Sequence, residues 1–129
     1  PVVQRAELRE IDFGRFEGMT FEEVKAAYPE ADKHFGGDAT LGFPGGESLA
    51  ELSARVGWFA ERLQGLGPDQ TVLVVGHGGS LRVLVCQLLG LEVTRWWQLR
   101  VDRASLSIVE TFAEGAVLSL LNDVSHLRR

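Results

Sequence analysis

His77 stands in the glycine-rich step Gly76-His77-Gly78-Gly79-Ser80, directly after the apolar run Thr71-Val72-Leu73-Val74-Val75. An imidazole can take or give a proton near neutral pH and can hold an anion. Its flanking glycines let a ligand or another backbone come close. The helix expected to follow starts with unpaired N–H groups and the positive end of its dipole, so an anion would be held well here. Glu10, between Leu8-Arg9 and Ile11, is the second candidate, an acid flanked by apolar anchors. Read alone it is a solvated loop carboxylate. Asp12 and Glu17 are weaker, and Glu17 equally suits a cap near Thr20 or a pair with an arginine. Ser80, the first residue of the expected helix, reads as an N-terminal anion contact or cap.

Other chemistries lack their residues. His34 and His126 fall in polar surroundings and read as surface residues, and the lone Cys86 reads as a small buried hydrophobe rather than a reactive thiol. The three histidines lie far apart, with no His-x-x-His or Cys-x-x-Cys spacing, so no metal-ligand set is expected. There is no Gly-x-Gly-x-x-Gly, no P-loop and no Gly-x-Ser-x-Gly elbow, which leaves nucleotide binding and serine hydrolysis unsupported.

The elements that must position these residues follow from periodicity and punctuation. Thr71 to Val75 has the length and β-branching of a strand buried on both faces, which puts His77 at its carboxyl end, the edge where open α/β sheets bind ligands. Pro1 to Arg5 can form a short strand. Leu8 to Gly18 reads as a loop. Thr20 with Glu23 predicts a capping box and a helix to about Tyr28, stopped by Pro29, with a further helical turn over Ala31 to Phe35. Gly36 to Gly46, with five glycines and one proline in eleven residues, reads as a loop of the kind that lines or covers sites. Ser48 with Glu51 caps a second helix, and Leu49, Leu52, Val56, Phe59, Ala60 and Leu63 give it one apolar stripe until Gly65 and Gly67-Pro68. A helix from Ser80 to Leu89 ends at Gly90. Trp96 and Trp97 lie in a short amphipathic piece, where aromatic residues belong more often to a core than to a ligand pocket. Ser105 to Phe112 and Ala116 to Asn122 flank the turn Ala113-Glu114-Gly115 as an antiparallel hairpin. With strand, helix and the hairpin's first strand as a right-handed βαβ unit, the expected fold is α/β, a three-layer, mainly parallel sheet with helices on both faces and a C-terminal hairpin.

Composition bounds the function. The 129 residues fit one domain, and 45% apolar and 24% charged residues suit a globular core. A net charge of −5, with no basic run longer than Arg128-Arg129, argues against a nucleic-acid surface. No apolar run approaches the ~20 residues of a membrane span, and no signal-peptide pattern opens the chain, so the expectation is a cytoplasmic protein with no membrane partner.

LREIDFGRFEG, PGGES and VVGHGGSLR, in this order and at these separations, resemble the histidine phosphatase superfamily, the phosphoglycerate mutase-like enzymes, over nearly the whole chain. The tail, WWQLRVDRASLSIVE followed by LLNDVSHL, is similar to the end of α-ribazole phosphatases of cobalamin assembly and of related broad-specificity phosphatases. The resemblance implies hydrolysis of a small phosphorylated metabolite, α-ribazole 5′-phosphate among the candidates, through a phosphohistidine and with no metal or other cofactor. It implies that Glu10 protonates the leaving oxygen and later helps activate water, that His77 binds the phosphoryl group and stabilises its charge, and that the Gly78 N–H helps hold the same oxygens.

The family's nucleophilic histidine, in a Leu-x-Arg-His-Gly-Glu motif, and the arginine one helix later have no counterpart in these residues. Pro1 aligns just before the Leu-x-Glu segment. The expectation is therefore a single domain over residues 1–129 that is N-terminally incomplete, lacking the family's first strand and helix. It would be inactive alone, with an unpaired apolar strand edge at 71–75. Part of a longer enzyme, a truncated phospholigand- or partner-binding module, and recovery of the strand from another copy by exchange or oligomerisation are the competing readings. Phosphoglycerate mutase-type transfer is the alternative chemistry.

Overall fold

A computed structural model describes residues 1–35 and 38–128. Among these residues there are four helices: α1 (Phe21–Ala27), α2 (Asp32–Phe35), α3 (Leu49–Gln64) and α4 (Gly78–Leu88). Two strands follow, β1 (Leu106–Phe112) and β2 (Gly115–Asp123), and short 3-10 turns occupy Ala6–Leu8, Gly14–Phe16, Val93–Gln98 and Ser125–Leu127. The part of the 36–46 loop formed by Gly36 and Gly37 lies outside the described residues.

The caps expected from the sequence form as reciprocal boxes. The Glu23 N–H donates to Thr20 Oγ1 at 3.3 Å while the Thr20 N–H donates to Glu23 Oε2 at 2.7 Å. Ser48 and Glu51 do the same at 3.1 and 2.8 Å. Each box satisfies two donors that a helix start leaves free. α4 ends where Gly90 predicts. Gly90 takes φ +68, its N–H donates to Gln87 O at 3.2 Å and the Leu91 N–H donates to Cys86 O at 2.8 Å, a Schellman stop.

The core lies between α3 and α4. Leu49, Leu52, Val56, Phe59 and Ala60 of α3 meet Val83 and Leu84 of α4, with Ile11, Phe16, Val24, Ala31 and Phe43 closing the other side. Gln87 on α4 donates to Ser53 O at 2.6 Å and Ser53 Oγ at 3.0 Å, fixing the two helices against each other. Cys86 is buried, and burial pushes its thiol up, as a structural cysteine requires. Trp96 packs partly buried against the core, whereas Trp97 is exposed.

The sheet departs from expectation. Among the described residues the only sheet is the antiparallel β1–β2 hairpin, with Phe112 opposite Gly115 and Glu110 opposite Val117. Residues 71–75 and 1–5 carry no strand ladder, so the three-layer, mainly parallel sheet and the βαβ unit are not formed there. Val74 packs on the core while Leu73 and Val75 are 81% and 79% exposed. One face of the segment is thus covered and the other is not. β-branched composition favours a strand, but pairing needs a neighbour with free N–H and C=O groups, and these residues meet none.

Candidate active site

The acid-bearing segment and α4 meet although they are far apart in sequence. The Glu10 carboxylate accepts the Gly79 N–H at 3.1 Å and the Ser80 N–H at 3.2 Å, and also the Ile11 N–H at 3.0 Å. Glu10 is therefore not a solvated loop acid. The carboxylate sits on the first turn of α4, where a helix start leaves backbone N–H groups without intrahelical partners. Gly79 is required for this contact, because a Cβ there would run into Glu10 Oε1 and come within 3.2 Å of Glu10 Cδ.

His77 caps α4 in extended backbone, φ −116 and ψ 163, and its side chain is exposed. It adjoins the turn that holds Glu10, so Glu10, His77 and Gly78 come together at one helix N-terminus. A Cβ built on Gly78 would lie 3.9 Å from Arg82 Nη1 and 4.0 Å from Glu10 Oε2, so Gly78 stands between the acid and that guanidinium. Ser80 takes the capping half of its expected role, its Oγ accepting the His77 N–H at 3.4 Å, and not the anion-contact half. Its hydroxyl is buried, donating to Leu8 O at 3.0 Å with His77 O at 3.2 Å, which ties α4 to the loop ahead of Glu10. A hydroxyl with two backbone carbonyls in reach has no need of a ligand.

A second layer fixes the loop itself. Arg55 on α3 forks onto Glu47, Nε to Oε1 at 2.6 Å and Nη2 to Oε2 at 2.9 Å. The same guanidinium donates to Glu7 O and Arg9 O, both at 2.8 Å, and to Glu10 O at 3.1 Å. The Glu47 N–H donates to Asp12 O at 2.8 Å, and the Gly14 and Gly46 backbones cross so closely that a Cβ on either would strike the other segment. Asp12 turns inward on its own loop, accepting the Gly14 N–H at 2.8 Å, and Glu17 accepts the Phe13 N–H at 2.9 Å, so Glu17 neither caps α1 nor pairs with an arginine. Arg55 has no motif to mark it in the sequence. Its signal was position, since Arg55 falls three residues after Leu52 and one before Val56, a charge on the flank of an apolar stripe.

The outer wall comes from the segment before β1. Arg82 Nε donates to Leu99 O at 2.7 Å and its guanidinium lies 6.0 Å from the Trp96 ring centroid. Asn122, at φ +57, accepts the Asp102 N–H at 2.7 Å and donates to Asp102 Oδ2 at 3.0 Å. The hydrogen bond from Asn122, with Arg100 and Arg82 nearby, holds the Asp102 carboxyl below its ordinary range. His34 departs from the surface placement expected of it. It is half-buried between Phe16 and Phe43, with Nδ1 2.9 Å from Gly42 O. His126 is exposed, its Nε2 3.0 Å from Ala104 O. Among the described residues no group of three His, Cys, Asp or Glu side chains is arranged as a metal ion would need. No helix there is long and apolar enough to cross a membrane.

A model of the histidine phosphatase superfamily (branch 1) matches residues 1–124. The chain belongs to this superfamily. Phosphoserine phosphatase 1 of Hydrogenobacter thermophilus is 35% identical over 127 residues, 98% of this chain and 60% of that protein. The adenosylcobalamin/alpha-ribazole phosphatase of Escherichia coli is 31% identical over 123 residues, 95% of this chain and 61% of that protein. The crystal structure of the alpha-ribazole phosphatase from Shigella flexneri superposes with a TM-score of 0.79 at 30% identity, covering 95% of this chain and 61% of that one. The chain thus spans about 60% of the length of these relatives. As a member of this superfamily the chain has an α/β fold with a C-terminal antiparallel hairpin, and these relatives bear the names of phosphatases of small phosphorylated molecules.

Proposed function

We propose that the protein carrying this chain hydrolyses a small-molecule phosphate monoester in two steps through a phosphohistidine. The observation that carries the reading is the Glu10 carboxylate held by the Gly79 and Ser80 N–H groups at the start of the helix that His77 caps. This supports placing a carboxyl for proton transfer and an imidazole for the phosphoryl group at one helix start. In the first step a histidine from outside these 129 residues attacks phosphorus, the P–O bond to the leaving group breaks, and Glu10 gives its proton to the departing oxygen. In the second step Glu10 takes a proton from water as that oxygen attacks the phosphohistidine, releasing inorganic phosphate and restoring both residues. His77 and the Gly78 N–H offset the charge on the equatorial oxygens in both steps.

The tail similarity and the named relatives support α-ribazole 5′-phosphate as the first substrate to test, with phosphoserine beside it. The test is phosphate release by the full-length protein from both compounds and from 3-phosphoglycerate. His77→Ala should abolish turnover, and Glu10→Gln should lower kcat with KM little changed, because a proton donor is felt in the transition state. Wild-type turnover by His77→Ala refutes its role. Transfer of phosphate between glycerate positions without release points to a mutase, and ligand binding without any turnover points to a non-catalytic module.

A further inference from the structure

We propose that Arg55 is a positioning residue for proton transfer by Glu10, acting through the backbone and not through the carboxylate; this rests on the acid role given to Glu10 above. The guanidinium has five N–H donors, and all five are engaged: three on the carbonyls of Glu7, Arg9 and Glu10, two on the Glu47 carboxylate. The acid lies on a segment with little regular structure of its own, a single 3-10 turn at Ala6–Leu8 followed by loop. Carbonyls of such a segment would ordinarily face water. Here a rigid planar fork, mounted on the longest helix of the described chain, collects them and fixes the Cα of Glu10 relative to α4.

Two features separate this from a plain stability device. The Arg55–Glu47 pair is largely withdrawn from solvent, with side chains 20% and 16% exposed, so desolvation offsets much of its Coulomb gain. Its contacts are also concentrated on the acid-bearing segment. Arg55 reaches the backbone on both sides of Glu10's own attachment point, while Glu47 accepts the Asp12 N–H at 3.3 Å and so grips the chain just beyond. The carboxylate is held at its tip by α4 and at its root by α3. Lysine cannot reproduce this, because three donors on a tetrahedral ammonium cannot serve a carboxylate fork and three carbonyls together.

The test uses the full-length protein with Arg55→Lys, Glu47→Gln, Glu10→Gln and the double variant Arg55→Lys/Glu10→Gln. Single-turnover release of the first product is measured on p-nitrophenyl phosphate, whose leaving group needs little protonation, and on glycerol 2-phosphate, whose leaving alkoxide needs it fully. Arg55→Lys should slow release from glycerol 2-phosphate by about 10²-fold, the cost of displacing a catalytic group by about 1 Å, with much less loss on p-nitrophenyl phosphate and little change in the half-saturating concentration. Adding it to Glu10→Gln should slow glycerol 2-phosphate no further. Equal losses on both substrates, a change confined to half-saturation, or full additivity in the double variant overturns the proposal. If Glu10→Gln itself fails to discriminate between leaving groups, the acid role falls and this inference with it; if Glu10→Gln discriminates and Arg55→Lys does not, only the inference falls. Should Arg55→Lys not fold, Glu47→Gln decides on the same leaving-group criterion.

Discussion

Gly79→Ala separates stability from chemistry at the centre of the site. The added Cβ would overlap Glu10 Oε1, lie 3.2 Å from Glu10 Cδ and 3.4 Å from Ile11 Cγ2, so the carboxylate must retreat. Ile11 is buried and cannot yield, whereas Glu10 ends a flexible side chain. Retreat loosens two charge-assisted hydrogen bonds, from the Gly79 and Ser80 N–H groups, each contributing about 1.5–3 kcal/mol when intact. Water can replace part of that for a half-exposed carboxylate. Alanine in the first turn of α4 recovers up to about 1 kcal/mol over glycine, since the backbone there is helical. The net loss of stability is then at most about 2–5 kcal/mol, and less where water takes over the lost bonds. A carboxylate displaced by about 1 Å should lower kcat by about 10²-fold in the molecules that remain folded. Thermal unfolding by circular dichroism and steady-state hydrolysis of an alkyl phosphate by the full-length variant read the two effects separately. A variant with wild-type kcat would refute the placement of Glu10 as the proton donor held by α4, and so would one whose activity loss tracks its unfolded fraction.

Three further outcomes test the frame around the site. Leu52→Ala removes a fully buried side chain between α3 and the rest of the core and should cost about 2–5 kcal/mol in chemical denaturation; a cost below about 1 kcal/mol would contradict the packing. Gly90→Ala meets no atoms but must hold φ +68, so a loss of about 1 kcal/mol is expected from backbone strain alone, and no loss would show that α4 does not end in this left-handed stop. Acid should destabilise the fold. Hydrogen bonds from Thr20 and Ser48 hold Glu23 and Glu51 below their ordinary range, Asn122 does so for Asp102, and Ser125 for Asp123. A folded-state pKa below the unfolded one gives stability that is present above about pH 4 and lost as pH falls through the folded values. The Tm should therefore be flat from about pH 6 to 5 and drop below about 4, and a Tm that rises on acidification would contradict the capping assignments.

The two shells around Glu10 explain how a loop acid can be placed with precision. α4 supplies donors to the carboxylate and α3 supplies a guanidinium to the backbone that carries it. These helices are locked by the buried stripe Leu52 and Val56 against Val83, and by Gln87 on Ser53. Geometry at the acid thus inherits the rigidity of the core instead of the mobility expected of a glycine-punctuated segment.

Local chemistry was legible in the chain itself. Both capping boxes, the apolar stripe of α3, the Gly90 stop, the β1–β2 hairpin and the buried Cys86 follow from side chains acting within a few residues, where spacing alone fixes who meets whom. The place of His77 at a helix start was legible too, because glycines and helix signals surround it in sequence. What only the tertiary structure decided are meetings across long separations. Residues 71–75 have strand composition but no ladder among the described residues, since pairing belongs to two segments and one sequence run specifies only its own half. His34 reads as polar surface yet packs between Phe16 and Phe43, aromatic neighbours brought from both sides by the fold. Glu10 reads as a solvated loop acid until α4 presents Gly79 and Ser80 to it, and Arg55 has no motif to mark it until five acceptors converge on its fork. Hydrogen bonds to backbone carbonyls leave no trace in residue identity, because every residue has a carbonyl to offer, and only the folded chain determines which of them an arginine can reach.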